Sequence, residues 1–341
     1  MQIANDSLFV SFVFESLDER DQAIDVVTCR GTFDIIENRI VPSSEQQPVV
    51  LADEYHNQPL TSSVRVDTDL VPKKYAADIT LNSVAHAPDG NPTARWLVNI
   101  RVGRISKQLQ VTGPRSWKYG LVNGWQLTRP EPATEVPLRY EYAFGGQYQH
   151  RDKVYTYDKN RVGLGFNSVA AADPSELIPA PQIEDPKNPV LNFGQEYEPA
   201  GFGPIPKHCM PRRQLCGTAD EDWKRERWPR RPLDFDFRYY NCAPRGQIYP
   251  GFLRGDEDVW LTGLSPDGPI EFTLPGISQT VFALWNDNEI NLESMNLDTL
   301  HIDTTKMQVY LTWRLSIPKT GGLRTVQIVT ESLEDQPLVQ G

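Results

Sequence analysis

Apolar and polar residues alternate with a period of two near both ends of this chain. Leu8–Phe14 reads LFVSFVF and Ala23–Ile35 reads AIDVVTCRGTFDI. Asp78–His86 continues the pattern, then Trp96–Val102 and Lys107–Val111. It returns at Asp258–Leu261, Ile270–Leu274, Thr280–Trp285 and Gln308–Ile317. A strand sends successive side chains to opposite faces, so such runs predict half-buried strands. The expected buried set includes Phe9, Val26, Ile79, Leu97, Ile100, Phe272 and Leu311. Gly103-Arg104-Ile105-Ser106 reads as a short hairpin link. Ser265-Pro266-Asp267-Gly268 reads as a turn, with Pro presetting φ and Gly taking φ > 0. Helical periodicity is scarce. The chain is expected to be all-β or strongly β-dominated, with packed antiparallel sheets in a sandwich-like arrangement. Helix should stay below about 15%, against about a third in an average domain.

The middle of the chain follows another rule. Pro174–Pro232 holds 11 of the 28 prolines, about twice the chain-wide density. Proline disfavours helix interiors and central strands, so this stretch is neither. It also carries Phe193, Tyr197, Phe202, Trp223 and Trp228, aromatics that a solvated linker does not need. The expected organisation is an N-terminal sandwich-like lobe (1–145) and a long, ordered, proline- and glycine-rich excursion (146–232). C-terminal strands on the same or a second sheet (233–331) and a frayed tail (332–341) complete it.

Chemistry-bearing residues are few. The five histidines make no zinc spacing, and neither a nucleophile elbow nor a phosphate-binding glycine loop occurs. Gly163-Leu164-Gly165 reads as a turn. His208, Cys209 and Cys216 are three candidate metal ligands without an evident fourth, and burial of the thiols is the alternative. In Asp234–Asn241, an extended backbone puts Asp234, Asp236 and Arg238 on one face and Phe235, Phe237 and Tyr239 on the other. Two carboxylates beside an arginine suit glycoside hydrolysis, and an ionic ladder over an aromatic face suits structure. Gly255-Asp256-Glu257-Asp258 is read as a turn, because adjacent acids cannot converge on one ion. No catalytic, cofactor or metal site is assigned.

At 341 residues and 39% hydrophobic, the chain has material for a real core. Four scattered cysteines fit a reducing compartment. The N-terminus lacks a basic region ahead of an apolar one, and no run of 18 apolar residues occurs, so neither secretion by the general route nor a membrane span is expected. The net charge of −11 argues against a general nucleic-acid binder, which needs a cationic surplus. One stretch departs from that background. Lys207–Arg231 has eight basic residues and four acids, a net of 8 − 4 = +4, with Trp223 and Trp228 interleaved. Arg and Trp are enriched at interface hot spots. The candidate partner-binding residues are Arg212, Arg213, Trp223, Arg225, Arg227 and Trp228. The competing account ties these arginines to scaffold carboxylates, and both readings stand at this point.

A series of strings, in order and with suitable gaps, points further. They are Val71-Pro72-Lys73-Lys74 with Ala77-Asp78-Ile79, Ala85–Gly90, Lys107–Val111, Gly113–Trp117, and Pro137–Gly146. Pro199–Ile205, Pro211-Arg212, Gly217–Asp220 with Trp223, Pro232–Asp236, Asn241–Pro244 and Gly255–Glu257 follow. Over most of residues 5–285 the chain resembles domain-of-unknown-function family 2169. It departs at Lys207-His208-Cys209-Met210, where the family tends to an aromatic, and at Arg245-Gly246-Gln247. Proteins of that family look like accessory components of bacterial type VI secretion. The resemblance implies a non-catalytic, cytoplasmic adaptor that binds a secreted effector protein and helps load it onto the spike protein, with no cofactor, nucleic acid or membrane partner. The alternative is a carboxylate- or metal-dependent hydrolase of carbohydrate using Asp234, Asp236 and Asp256. Gly145, Gly146, Gly201 and Gly203 are expected to serve the backbone rather than a phosphate.

Overall fold

A computed structural model describes residues 2–286, 289–319 and 322–332. Strands take 45% of it and helices 6%, as the alternation predicts. Three sheets carry the architecture. The largest runs in the order Val10–Leu17, Ala23–Ile36, Gln308–Pro318, Asn296–Asp303, Ala77–Asn82, Ile248–Tyr249, with Arg39–Pro42 also on Ala23–Ile36. Its neighbours are antiparallel except Asn296–Asp303 with Ala77–Asn82, which run parallel. A second sheet orders Ile183–Glu184, Ile105–Thr112, Arg95–Val102, Asp258–Thr262 and Ile270–Thr273. A third orders Gln2–Asn5, Leu323–Ser332, Ile277–Trp285 and Ile290–Ser294. Both large sheets therefore mix residues from before 145 with residues after 233.

Register explains the core. On the second sheet Leu261 faces Ile100 and Val259 faces Val102, while Phe272 faces Val259 and Leu109 faces Val98. On the largest sheet Trp313 faces Cys29 and Val309 faces Phe33. These rows and Val281, Val326 and Ile328 of the third sheet form one apolar core. Apolar burial of this kind is the main stabilising contribution, about 25 cal/mol per Å². Of the expected buried set, Phe9, Val26, Ile79, Ile100, Phe272 and Leu311 are buried. Leu97 is not. At 47% exposure it points outward, because strand parity places Trp96, Val98, Ile100 and Val102 together inside and Leu97 on the other face.

Other boundaries shift. Asp78–His86 is two strands, Ala77–Asn82 and Val84–His86. The hairpin link shrinks to Gly103-Arg104, since Ile105 and Ser106 already pair with Val102 and Arg101. Gly268 takes φ +107°, as the turn requires. Ser332 is not tail but the end of a strand, and the rest of the expected tail, 333–341, lies outside the described residues. Asp234–Asn241 is not extended: Phe237–Tyr240 is a turn of 3₁₀ helix, so the two-faced ladder does not form.

The proline-rich excursion shares a second, smaller core with strands of the N-terminal part of the chain. Trp117, Phe144, Tyr157, Val190 and Tyr197 cluster away from the main one, and Trp125 stacks on Phe193 with ring centres 4.4 Å apart. Gly146 sits at φ +99°, and a Cβ there would lie 2.4 Å from the Gly163 carbonyl, so only glycine fits.

Candidate functional site

The surface that the charge pattern singled out is a short module. Asp220 accepts a hydrogen bond from the Trp223 backbone N–H at 2.8 Å and caps the helix Glu221–Glu226. The Trp223 indole N–H donates to the Arg230 carbonyl at 2.9 Å. This folds Trp228 back against Trp223, edge to face at 5.5 Å. Trp223 is half-buried, and Trp228 is 69% exposed, with Leu233 nearby in sequence at 84%.

Two arginines fasten this module to the hairpin between Val10–Leu17 and Ala23–Ile36. Arg227 pairs with Asp21 at 2.6 Å. Arg231 donates to the Leu17 and Asp18 carbonyls at 2.9 and 3.2 Å and to the Tyr240 hydroxyl at 2.9 Å. Its guanidinium also lies 4.7 Å from the Phe237 ring centre, a cation–π contact. The exposed tryptophan therefore stands on a braced support.

The remaining basic residues divide by depth. Arg212 is buried, pairing with Asp67 at 2.9 Å and donating to the Tyr239 and Ile205 carbonyls. Burial opposes its charge, and the Asp67 carboxylate more than offsets this, holding Arg212 above its ordinary pKa. It is unavailable to a partner, and its proposed place at an interface is corrected here: it clamps the excursion to the scaffold. Arg213 pairs with Asp158 at 3.3 Å on the surface. Lys224 and Arg225 bond Glu221 and Asp222 within the helix, both at 2.6 Å. Lys207 bonds Asp53 at 2.7 Å. Much of the local net charge is thus met by acids distant in sequence. Trp223, Arg225, Arg227 and Trp228 come together, and Arg212 and Arg213 sit apart on the 3₁₀ turn Arg212–Cys216.

The acids read as hydrolase candidates hold local structure. Asp234 accepts from the Thr218 N–H and hydroxyl, both at 2.8 Å, which keep it below the usual carboxylate range. Asp236 caps the 3₁₀ turn and pairs with Arg238, which lowers it too. Asp256 pairs with Arg254 at 3.0 Å. Glu257 accepts from the Arg254 and Gly255 N–H groups, and Asp258 from the Thr273 hydroxyl. Among the described residues no three His, Cys, Asp or Glu side chains gather as a metal site. No described helix is long and apolar enough to cross a membrane.

Alternation in sequence did not disclose that the second face of the largest sheet is also covered. Thr28, Arg30, Thr32, Thr80, Asp78, His301, Asp303, Thr312 and Arg314 are all buried. Asp69 organises part of this layer, accepting from Arg30 at 3.0 Å, the Val50 N–H at 2.9 Å and the Thr312 hydroxyl at 3.1 Å. Asp78 organises another, pairing with Lys74 at 2.8 Å and accepting from the Cys242 and Ala243 N–H groups at 3.0 Å. The strings Val71–Lys74, Ala77–Ile79 and Asn241–Pro244 thus meet at one carboxylate.

A model of the family described as "Uncharacterized protein conserved in bacteria (DUF2169)" matches residues 20–314. The match spans most of the chain, which belongs to this family. No curated protein and no solved structure matches it.

Proposed function

We propose that this member of the DUF2169 family is a non-catalytic cytoplasmic adaptor, which binds a secreted effector protein and assists its loading onto the spike protein of a type VI secretion machine. The supporting observation is the exposure of Trp228 on a module that Arg227 and Arg231 brace against the sheet hairpin. A large aromatic held in place loses little side-chain entropy on binding, so it serves as an anchor. Arg225 and Lys224 beside it are exposed but bonded to Asp222 and Glu221 of their own helix, so the anchor rests on the aromatic and not on local charge. The secretion context rests on the resemblance of the motif strings alone.

Affinity capture from the native bacterium, with identification of the bound proteins, tests the reading. Trp228→Ala should weaken partner binding by about 2 kcal/mol, roughly thirtyfold, without lowering the unfolding temperature. Unchanged affinity in that variant removes the module from the interface. Failure to recover any secretion component removes the secretion role.

A further inference from the structure

One edge of the third sheet is open. Ile290–Ser294 stands last in its order, beyond Ile277–Trp285, and all five of its residues are exposed. Other edges are met by side chains. The Leu17 carbonyl, at the edge of the largest sheet, takes Arg231, and the Glu271 N–H, at the edge of the second, donates to the Asn38 side chain at 3.3 Å. Ile290–Ser294 has no such cover among the described residues. It also lacks proline and lysine, the residues that commonly blunt a free edge.

Register shows which backbone groups are free. Phe282 faces Leu292 and Leu284 faces Ile290. The Met295 N–H donates to the Gln279 carbonyl at 2.8 Å, and the Trp285 N–H to the Glu289 carbonyl at 2.9 Å. Successive residues of an antiparallel strand turn their N–H and C=O to alternate sides. Asn291 and Glu293 alternate in step with Glu289 and Met295, so they bond back to Ile277–Trp285. Ile290, Leu292 and Ser294 therefore aim their N–H and C=O outward. Ile290 and Leu292 are also apolar, 63% and 60% exposed, and stand beside the half-buried Leu284 and Phe282 on the outer face. The same residues thus offer main-chain bonds and apolar side chains.

We propose that this edge pairs with the same edge of a second copy of the chain, antiparallel, about a two-fold axis at Leu292. In that register Leu292 exchanges both main-chain bonds with its counterpart, and Ile290 with Ser294 of the second copy. The two Leu292 side chains, flanked by the two Phe282 rings, make one apolar row across the joined sheet. On the other face Asn291 lies opposite Glu293 on each side of the axis, so an amide donor meets a carboxylate. Moving the register one step either way, with the outward bonds kept, sets Glu293 against Glu289 or against Glu293, and like charges directly opposite are destabilising. This self-complementarity selects a second copy over an unrelated strand, and the isologous contact closes at a dimer. A pair of strands this short buries less than the roughly 1,200 Å² of a standard interface, so the dimer is weak and dissociates on dilution. The inference is independent of the tryptophan module.

Sedimentation velocity on the intact chain, from micromolar to millimolar concentration, tests it. The parent should pass from monomer to dimer. Leu292→Pro removes an outward N–H and no bond to Ile277–Trp285, so it should weaken dimerisation at least tenfold and leave the unfolding temperature unchanged. Asn291→Lys gives Glu293 an opposite charge and should tighten the dimer about threefold, and Asn291→Glu should weaken it about as much. If the proline variant does not fold, the two Asn291 variants decide. A chain that stays monomeric throughout, leaving the edge to a strand of another protein, overturns the proposal. A dimer undiminished in a folded Leu292→Pro, or loosened by Asn291→Lys, overturns it too.

Discussion

Arg225 and Arg314 carry the same charge and differ in everything else. Arg225 spans Asp222 and Glu226 on an exposed helix, its side chain 66% accessible. Arg314 is buried, pairs with Asp298 at 2.7 Å, and donates to the Thr28 hydroxyl and the Asp69 and Val71 carbonyls. Arg212 with Asp67 repeats the buried pattern, and Arg213 with Asp158 repeats the exposed one, although Arg212 and Arg213 are adjacent in sequence. An exposed pair contributes little, because water solvates both partners nearly as well. A buried pair is costly to break, since the survivor keeps its charge without its solvent. In this molecule arginine depth, not arginine density, separates surface from scaffold.

The largest expected effect comes from breaking a buried pair on one side only. Asp298→Asn or Asp67→Asn should destabilise the chain by about 3–5 kcal/mol in urea unfolding. A loss below about 1 kcal/mol would show that the buried layer is no different from the surface.

Acid should also act on the buried layer. Burial, then the Arg30 charge, pushes His301 down to about 3, and burial with Arg139 pushes His56 down to about 4. Between those values and about 6.5 the unfolded chain binds protons that the native chain does not. Stability therefore holds above about pH 6.5 and falls as pH drops, by up to about 1.4 kcal/mol per pH unit for each histidine. Urea midpoints from pH 7 to pH 4 measure this slope. Replacing His301 with Gln should remove its share, and an unchanged slope would exclude it as a source.

Arg225→Glu and Arg213→Glu should give the smallest effect, within about 0.5 kcal/mol of the parent in urea unfolding. Any affinity they lose for a captured partner then reports on the surface alone. A large stability loss in either would contradict their exposure.

The candidate surface was partly legible. Trp223, Trp228, Arg225 and Arg227 stand out by composition and do come together, since six residues of capped helix bring them close. Arg212 looked the same and was misplaced. Its partner Asp67 lies 145 positions away, and nothing local distinguishes it from Arg213. The buried polar residues gave no signal, because His301 and Arg30 read as the polar alternates of half-exposed strands.

The sequence by itself determined the strand-dominated class, strands such as Ala23–Ile36, Arg95–Val102 and Gln308–Pro318, and the family. Those depend on period-two alternation and ordered short strings, which are local. Tertiary structure alone decided that the second face of the largest sheet is buried, which arginines meet a distant carboxylate, and which buried polar groups are left without a partner among the described residues. Each of these depends on how loops remote in sequence cover the sheet. Burial then turns an ordinary charge or imidazole into one whose partner matters, because no water is there to replace it.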